Sequence, residues 1–340
     1  MRADVSPAIE RASLTIDPER AGVQHGWISV PHSHDDSAWG AVRVPIACIK
    51  NGSGPTVLFV AGNHGDEYEG QIAVHKLVRE LAADPGRLSG RVLAAPALNA
   101  PAVSVGRRTS PIDGGNMNRC FPGDRLGGVT AMIADFLYRR LLPLADAVVD
   151  IHSGGRTLSF LPFAAVHDLP DADQFARSLA AMRAFGAPYG LIMTELDSAG
   201  MLDTAVEEMG KIFITTELAG GGTASAETVA IADRGVRNVL KHFGMLDGPL
   251  ERTREPTLLD MPDGGVHVAD DPGLFEIVAD LGQRVSAGDL LARIYPLHRT
   301  DRPAQEVRAQ VDGIVLQRHF PGLIKEGDCL AILAEERPAL

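Results

Sequence analysis

The chain has 340 residues, 45% of them apolar and 22% charged, a composition typical of a globular protein that folds in water. Its formal net charge is −12 and no basic block stands out, so we expect no nucleic-acid partner. No apolar run approaches the roughly 18 residues of a membrane-spanning helix and the amino terminus lacks an apolar signal core, so we expect no membrane partner and a cytoplasmic location.

The first 50 residues predict an N-terminal β-segment with strands over Ser13–Ile16, Gly26–Val30 and Ala41–Ile49. Residues 51–247 then alternate between strands and helices, which indicates an α/β domain with a mostly parallel, mixed sheet and helices on both faces. The predicted strands are Thr56–Ala61, Arg91–Ala97, Ala147–Ile151, Leu191–Thr194 and Ile212–Thr216, and the predicted helices are Tyr68–Ala83, Val129–Leu142, Asp171–Phe185, Thr204–Met209 and Ser225–Phe243. Ligands of such sheets bind beyond the carboxyl ends of the strands, so we expect the functional site there.

A polar stretch with prolines, residues 248–260, predicts a linker to a smaller C-terminal β-domain, residues 261–337. Short apolar strands in this region, such as Gly313–Gln317, are separated by Gly-Asp turns. The region resembles the lipoyl or biotinyl barrel-sandwich fold. Because no lysine occupies the expected hairpin tip, we interpret it as a structural or lid domain and not as a carrier.

Two segments that each follow an apolar strand hold candidate metal ligands. In Gly62-Asn63-His64-Gly65-Asp66-Glu67, a histidine and a glutamate three residues apart can face one ion from a turn. In Asp150-Ile151-His152, a second imidazole follows another strand. Either motif alone is more often structural, but together they offer two imidazoles and one carboxylate, the ligands of a catalytic zinc. The pattern therefore predicts a zinc hydrolase. Asp150 lies on the same strand face as His152 and either orients that ring or simply ends the strand.

A third candidate, Glu217, ends the predicted strand Ile212–Thr216 and comes before three glycines. A carboxylate in this place can approach a substrate closely and serve as a general base. From the residues alone, a helix-capping or solvated acid is an equal alternative.

The segment from residue 107 to residue 123 has no helical or strand periodicity and is rich in arginine, asparagine and glycine. A guanidinium can bond both oxygens of a carboxylate, so Arg108, Asn118 and Arg119 predict a site for an anionic substrate. The sequence leaves open whether Arg107 or Arg108 faces this site.

These segments, together with Asp113-Gly114-x-Asn116-Met117-Asn118-Arg119-x-Phe121-Pro122-Gly123 and Thr216-Glu217, occur in the order seen in the succinylglutamate desuccinylase/aspartoacylase family. The chain resembles that family, whose members are relatives of zinc carboxypeptidases, over about residues 50–335. The resemblance implies a zinc-dependent hydrolase that acts on the linear amide C–N bond of a small-molecule N-acyl amino acid. It implies one Zn²⁺ per chain, held by His64, Glu67 and His152, and Glu217 as the general base. It also implies that Arg108 polarises the scissile carbonyl or helps to hold the substrate, and that Asn118 and Arg119 bind the substrate carboxylate.

The segment from Gly26 to Gly40 resembles the ectoine-catabolic branch of the family, whose members deacetylate N-α-acetyl-L-2,4-diaminobutyrate. A succinylglutamate desuccinylase or aspartoacylase activity is the nearest alternative. A non-catalytic, metal-dependent binding protein and a peptidase are others. The sequence does not identify the group that recognises the substrate side chain, and a homo-oligomer remains open.

Overall fold

A computed structural model gives the fold of residues 11–194, 199–252 and 254–337. The strands are β1 (Ser13–Leu14), β2 (Gly22–Pro31), β3 (Ala41–Asn51), β4 (Thr56–Ala61), β5 (Gly90–Ala95), β6 (Ala147–His152), β7 (Leu158–Phe160), β8 (Phe163–His167), β9 (Tyr189–Met193), β10 (Ile212–Glu217), β11 (Thr257–Asp260), β12 (Val266–Val268), β13 (Gly273–Ile277), β14 (Arg284–Val285), β15 (Leu290–Tyr295), β16 (Gln305–Arg308), β17 (Gly313–His319), β18 (Leu323–Ile324) and β19 (Cys329–Glu336). The α-helices are α1 (Glu69–Ala83), α2 (Ala100–Val105), α3 (Val129–Phe136), α4 (Ala172–Phe185), α5 (Leu202–Glu207) and α6 (Ala226–His242). Short 3₁₀ turns cover Pro85–Arg87, Met117–Arg119 and Leu142–Leu144, and a π turn covers Leu137–Leu141.

The centre of the molecule is a mixed sheet in which the strands run in the order β5-β4-β6-β10-β8-β9-β11. Strands β5, β4, β6 and β10 run parallel to one another, and β8 runs antiparallel to β10. All six residues of β4 and of β6 are buried, as expected for strands covered on both faces. The predicted α/β class with a mostly parallel, mixed sheet is confirmed.

Helices cover both faces of this sheet. Apolar side chains of α1, α4 and α6 pack on one face, where Leu77, Phe185 and Val236 are fully buried. Helices α3 and α5 and the N-terminal strands cover the other face, around Ile133 and Phe213. Full burial of one such side chain contributes about 1.5–3 kcal/mol, so the two apolar layers stabilise the packing of the helices on the sheet.

The N-terminal strands form a long antiparallel hairpin, β2–β3, and β3 continues the sheet beside β5. Its strands are longer than the predicted Gly26–Val30 and Ala41–Ile49, and residues 1–10 of the predicted β-segment lie outside the described residues. The predicted helix Val129–Leu142 begins as expected at Val129 but changes from α to π geometry at Leu137.

The C-terminal strands are joined to the central sheet through β11, which pairs with β9 on one side and with β19 on the other. This strand, Thr257–Asp260, occupies the end of the predicted linker. A separate antiparallel sheet has the order β16-β15-β13-β18. The prediction missed β7, which pairs with β17 of the C-terminal region and so links that region to the loop after β6. The proposed boundaries at residues 50, 247 and 260 stay predictions.

None of the helices in the described part of the chain combines the length and the apolar character that a bilayer crossing requires.

Candidate active site

The candidate site lies at one edge of the sheet because β4, β6 and β10 are adjacent and parallel. Ala61 at the end of β4 is in register with Ile151 of β6, and Glu217 at the end of β10 is in register with His152. The residues that end or follow these strands are therefore neighbours, although the chain separates them widely.

The loop after β4 has a shape that only glycine allows at two positions. Gly62 has a φ of +66°, in the left-handed region, and a Cβ on Gly65 would overlap the backbone of Ala102. Gly65 donates a backbone hydrogen bond to the carbonyl oxygen of Arg107, at 2.8 Å. This close approach fixes the segment that contains Arg108 beside His64.

His64, Glu67 and His152 are buried and bring three potential ligand atoms within 4.8 Å of one another. His64 Nδ1 lies 2.7 Å from Glu67 Oε1, and His152 Nδ1 lies 2.8 Å from Glu67 Oε2. The backbone N–H of Ser153 donates to the same Oε2, at 3.3 Å. The three side chains predicted as ligands thus form one His-Glu-His cluster that could hold a metal ion.

The second nitrogen of each imidazole is held by a neighbouring polar group. His64 Nε2 lies 3.1 Å from Asn116 Oδ1, and His152 Nε2 lies 2.8 Å from Asp150 Oδ2. Asn63 Nδ2 donates to the same Asp150 oxygen at 2.8 Å. With Nε2 engaged in this way, each ring directs Nδ1 toward the common point, an arrangement usual for metal-binding histidines.

Electrostatics at this point favour positive charge. Burial alone would raise the pKa of Glu67, but the facing imidazoles of His64 and His152 outweigh it and lower that pKa. Burial would likewise lower the pKa of His152, yet the carboxylates of Asp150 and Glu67 raise it well above the ordinary value. A buried carboxylate that depends on nearby positive charge, together with two imidazole nitrogens, fits a divalent cation.

Glu217 lies beside this donor set, opposite His152 in the strand pairing. Within the described part of the chain, its buried Oε2 atom has no hydrogen-bond partner. Burial and the negative charge of Glu67 raise the pKa of Glu217 to about 8, against the opposing effect of His152 and Arg108. A carboxyl group tuned in this way can exchange a proton near neutral pH.

The two neighbouring arginines are both exposed but differ in position. Arg108 lines the cavity, and its Nη1 atom lies 3.3 Å from His64 Nδ1 and 3.8 Å from Glu67 Oε1. Arg107 is exposed and does not line the cavity.

Asn118 and Arg119 lie on the 3₁₀ turn Met117–Arg119 and both line the same cavity. Asn118 is buried and its Oδ1 accepts a hydrogen bond from the backbone N–H of Leu202, at 2.9 Å. Because Oδ1 is used in this way, Asn118 offers its amide N–H₂ group as a donor. Arg119 donates from Nη1 to the carbonyl oxygen of Asn118, at 2.6 Å.

The cavity has a volume of about 300 Å³, and most of its wall is apolar. Its lining residues are His64, Arg108, Asn118, Arg119, His152, Ser153, Gly154, Leu158, Phe160, Phe163, Leu191, Met193, Met201, Asp203, Thr215, Glu217, Met261, Leu316 and Ile332. All the side chains predicted for the site therefore line the cavity, except Glu67, which contacts both imidazoles, and Asp150, which contacts His152.

Sequence reasoning missed several contributors. Asn116 lies within the motif quoted above, so its position was a usable signal for a group that orients His64. Asp203 follows a predicted loop and carried no pattern that sets it apart. Leu316 and Ile332 come from β17 and β19, more than a hundred residues from the metal ligands, and nothing local to them indicates the cavity.

Comparison with other proteins shows the family to which the chain is related. The succinylglutamate desuccinylase/aspartoacylase catalytic domain matches residues 53–243. The N-alpha-acetyl-L-2,4-diaminobutyric acid deacetylase of Halomonas elongata is 50% identical over 325 residues, which cover 95% of this chain and 94% of that protein.

Two solved structures are similar over nearly the whole chain. The product-bound ectoine utilization protein EutE (DoeB) from Ruegeria pomeroyi matches with a TM-score of 0.92 and 53% identity, over 96% of this chain and 99% of that one. A succinylglutamate desuccinylase from Silicibacter sp. TM1040 matches with a TM-score of 0.92 and 49% identity, over 97% and 99%. With its His-Glu-His site at the ends of adjacent strands, the chain belongs to the succinylglutamate desuccinylase/aspartoacylase family.

Proposed function

We propose that the protein hydrolyses N-α-acetyl-L-2,4-diaminobutyrate to acetate and 2,4-diaminobutyrate, as a step of ectoine catabolism. The observation that carries the proposal is the cluster of His64, Glu67 and His152 donor atoms beside Glu217, whose buried Oε2 has no hydrogen-bond partner in the described part of the chain. The acyl group and the amino acid are supported by the 50% identity with the Halomonas elongata deacetylase over almost the full chain. The place in ectoine catabolism is supported by the likeness to the Ruegeria pomeroyi protein.

The metal of this site is Zn²⁺ in our proposal, with one ion per chain held by His64, Glu67 and His152. Two histidines and one carboxylate are the protein ligands of several catalytic zinc sites, which leave one position open. When bound, the ion supplies Lewis acidity that polarises a carbonyl group and makes water a stronger nucleophile at neutral pH. Metal analysis of the purified protein, by mass spectrometry, tests its identity and stoichiometry.

Glu217 acts as the general base in this scheme. Its carboxylate accepts a proton from the attacking water and then delivers that proton to the nitrogen of the departing amine. Burial keeps the pKa of Glu217 close to the pH at which both transfers are possible. The amide C–N bond breaks, and the oxygen of water ends in acetate.

Three side chains orient the substrate. The Arg108 guanidinium lies beside His64 and is placed to stabilise negative charge that develops on the carbonyl oxygen. The amide N–H₂ of Asn118 and the guanidinium of Arg119 bind the α-carboxylate of the amino acid, as planar donors to two oxygens.

The alternatives are less well supported. The name of the Silicibacter relative suggests a desuccinylase activity. Such an activity, or an aspartoacylase activity, needs a further cationic group for a second carboxylate, whereas the proposal already uses Arg108 and Arg119 of the cavity for the carbonyl and the first carboxylate. A non-catalytic binding protein gives no reason for a buried Glu217 oxygen beside the donor set that has no hydrogen-bond partner among the described residues. A peptidase needs room for a longer chain, whereas a cavity of about 300 Å³ lies at the small end of ligand pockets.

A hydrolysis panel tests the proposal. The zinc-loaded protein is assayed with N-α-acetyl-L-2,4-diaminobutyrate, N-acetyl-L-aspartate and N-succinyl-L-glutamate, with kcat/KM as the readout. We expect at least a 100-fold preference for the diaminobutyrate derivative, in the range that a buried charge pair can supply. A preference for either dianionic compound would reject the substrate and leave the zinc chemistry standing.

We expect the partner to be this small molecule alone, with no nucleic acid. The cytoplasmic location stays a prediction of the sequence, and a homo-oligomer stays an open possibility.

A further inference from the structure

The cavity contains charged side chains of both signs. Arg108 and Arg119 are cationic, and Glu217 and Asp203 are acidic. The proposed substrate has a carboxylate and, at the end of its side chain, an ammonium group. Since Glu217 is needed beside the metal ligands for proton transfer, a second acid is required for the ammonium. Asp203 is the remaining carboxylate among the residues that line the described cavity.

Asp203 is buried, with 5% of its surface exposed, and it belongs to the first turn of α5. Its Oδ1 atom accepts hydrogen bonds from the backbone N–H and the Oγ1 hydroxyl of Thr204, at 2.6 and 3.3 Å. These bonds fix the carboxyl group on the helix. The carboxyl group is therefore held at the wall of the cavity, where it can meet a cationic group of a bound molecule.

The start of α5 is tied to the loop that holds the arginine and asparagine. Leu202 donates its backbone N–H to Asn118 Oδ1, and Phe121 donates its backbone N–H to the carbonyl oxygen of Gly200, at 3.0 Å. Asp203 and the pair Asn118–Arg119 therefore belong to one connected wall. That wall presents an anionic group and a carboxylate-binding group to the same cavity.

We propose that Asp203 binds the side-chain ammonium of the substrate and sets the specificity of the site. The inference rests on the proposed function. A carboxylate at this place attracts an N-acyl amino acid with a terminal ammonium and repels one with a second carboxylate. Asp203 therefore separates a deacetylase for a basic amino acid from the desuccinylase and aspartoacylase activities of dianionic substrates.

The test compares two substrates of the same shape, N-α-acetyl-L-2,4-diaminobutyrate and N-acetyl-L-norvaline, in which a methyl group replaces the ammonium. Asp203→Asn should lower kcat/KM for the first about 30-fold or more, mainly through KM, and change that for the second less than about threefold. Glu208→Gln is the matched control, because it removes an exposed carboxylate at the end of the same helix. Asp203→Asn should also raise the relative rate with N-acetyl-L-aspartate.

Equal losses with both substrates would overturn the inference, since they would make Asp203 a structural residue. If Asp203→Asn does not fold, as judged by circular dichroism, Asp203→Glu takes its place and should keep a preference for the ammonium substrate. The wild-type protein provides a further test. If its kcat/KM is equal for the two substrates, recognition of the ammonium group is rejected without any variant. No hydrolysis of acetyl-diaminobutyrate by the zinc-loaded wild type would reject the proposed function itself.

Discussion

The two sides of the cavity are built in different ways. The metal side consists of His64, Glu67, His152 and Glu217, which sit at the ends of three adjacent parallel strands and are placed by the register of the sheet. The substrate side consists of the loop around Asn118, the helix α5 and strands of the C-terminal region, which long-range pairings bring together. In the proposed function, the chemistry therefore depends on residues placed by the central sheet, and specificity depends on residues placed by segments that lie far apart in the chain.

This difference separates the kinetic effects of substitutions. Changes on the metal side should reduce turnover or metal affinity, whereas changes on the substrate side should act on KM and leave the metal in place.

The largest effect is expected for Glu217→Gln. The variant keeps the shape of the side chain but loses the proton acceptor, so kcat should fall roughly 100- to 10,000-fold while zinc content stays at one per chain. Steady-state kinetics and metal analysis on the same sample check this. Turnover near that of the wild type would remove Glu217 from the role of base.

Arg108→Ala should lower kcat roughly 100-fold or more, because it removes the cation beside the reacting carbonyl. The matched control is Arg107→Ala, which removes an exposed arginine one residue away and should leave kcat within about twofold. If both variants lose activity equally, the distances to His64 and Glu67 have no catalytic meaning.

Asp150→Asn should weaken zinc binding roughly 10- to 100-fold, because the amide is a poorer partner for the Nε2 proton of His152. Competition with a chelating dye measures the affinity. Asp168→Asn, which alters an exposed acid after β8, is the control. Unchanged zinc affinity in the first variant would make Asp150 only a strand-ending acid.

The rate should also depend on pH through Glu217. Since burial raises the pKa of this carboxyl to about 8 and a base must be ionised, kcat/KM should fall about tenfold for each pH unit below the apparent pKa. The positive charge of a bound metal favours the ionised form, so the apparent pKa of the zinc enzyme should lie between the ordinary 4.5 and 8. The same limb in Glu217→Gln would assign it to another group.

The smallest effect is expected for Ile332→Ala on β19, which removes part of the apolar wall from the C-terminal region. Loss of this contact should raise KM several-fold with kcat and zinc content close to those of the wild type. An unchanged KM would mean that the C-terminal strands do not contact the substrate.

The contrast between the metal side and the substrate side also explains how much of the structure could be predicted from the sequence. Strands β4 and β6 were predicted within one residue because their apolar runs are long and end in glycine-rich or polar turns. Since parallel strands end at one edge, the positions of His64, His152 and Glu217 followed from the fold class.

On the substrate side, Asn118 and Arg119 were predicted from their polar loop, but the other contributors were not, because their signals are short or distant. Strand β7 has only three residues, and β11 lies in a stretch with prolines and charges that resembles a linker. The predicted helix Thr204–Met209 began two residues late, so Asp203 was left outside it. Pairing between β7 and β17 depends on the whole chain, and no local pattern contains it.

The most direct test of the account is a zinc titration of metal-free protein, with acetate release from N-α-acetyl-L-2,4-diaminobutyrate as the readout. Activity should be absent without metal, should rise linearly with added zinc and should stop rising at one equivalent per chain. Full acetate release by the metal-free protein, or a break well away from one equivalent, would contradict the central role given to His64, Glu67 and His152.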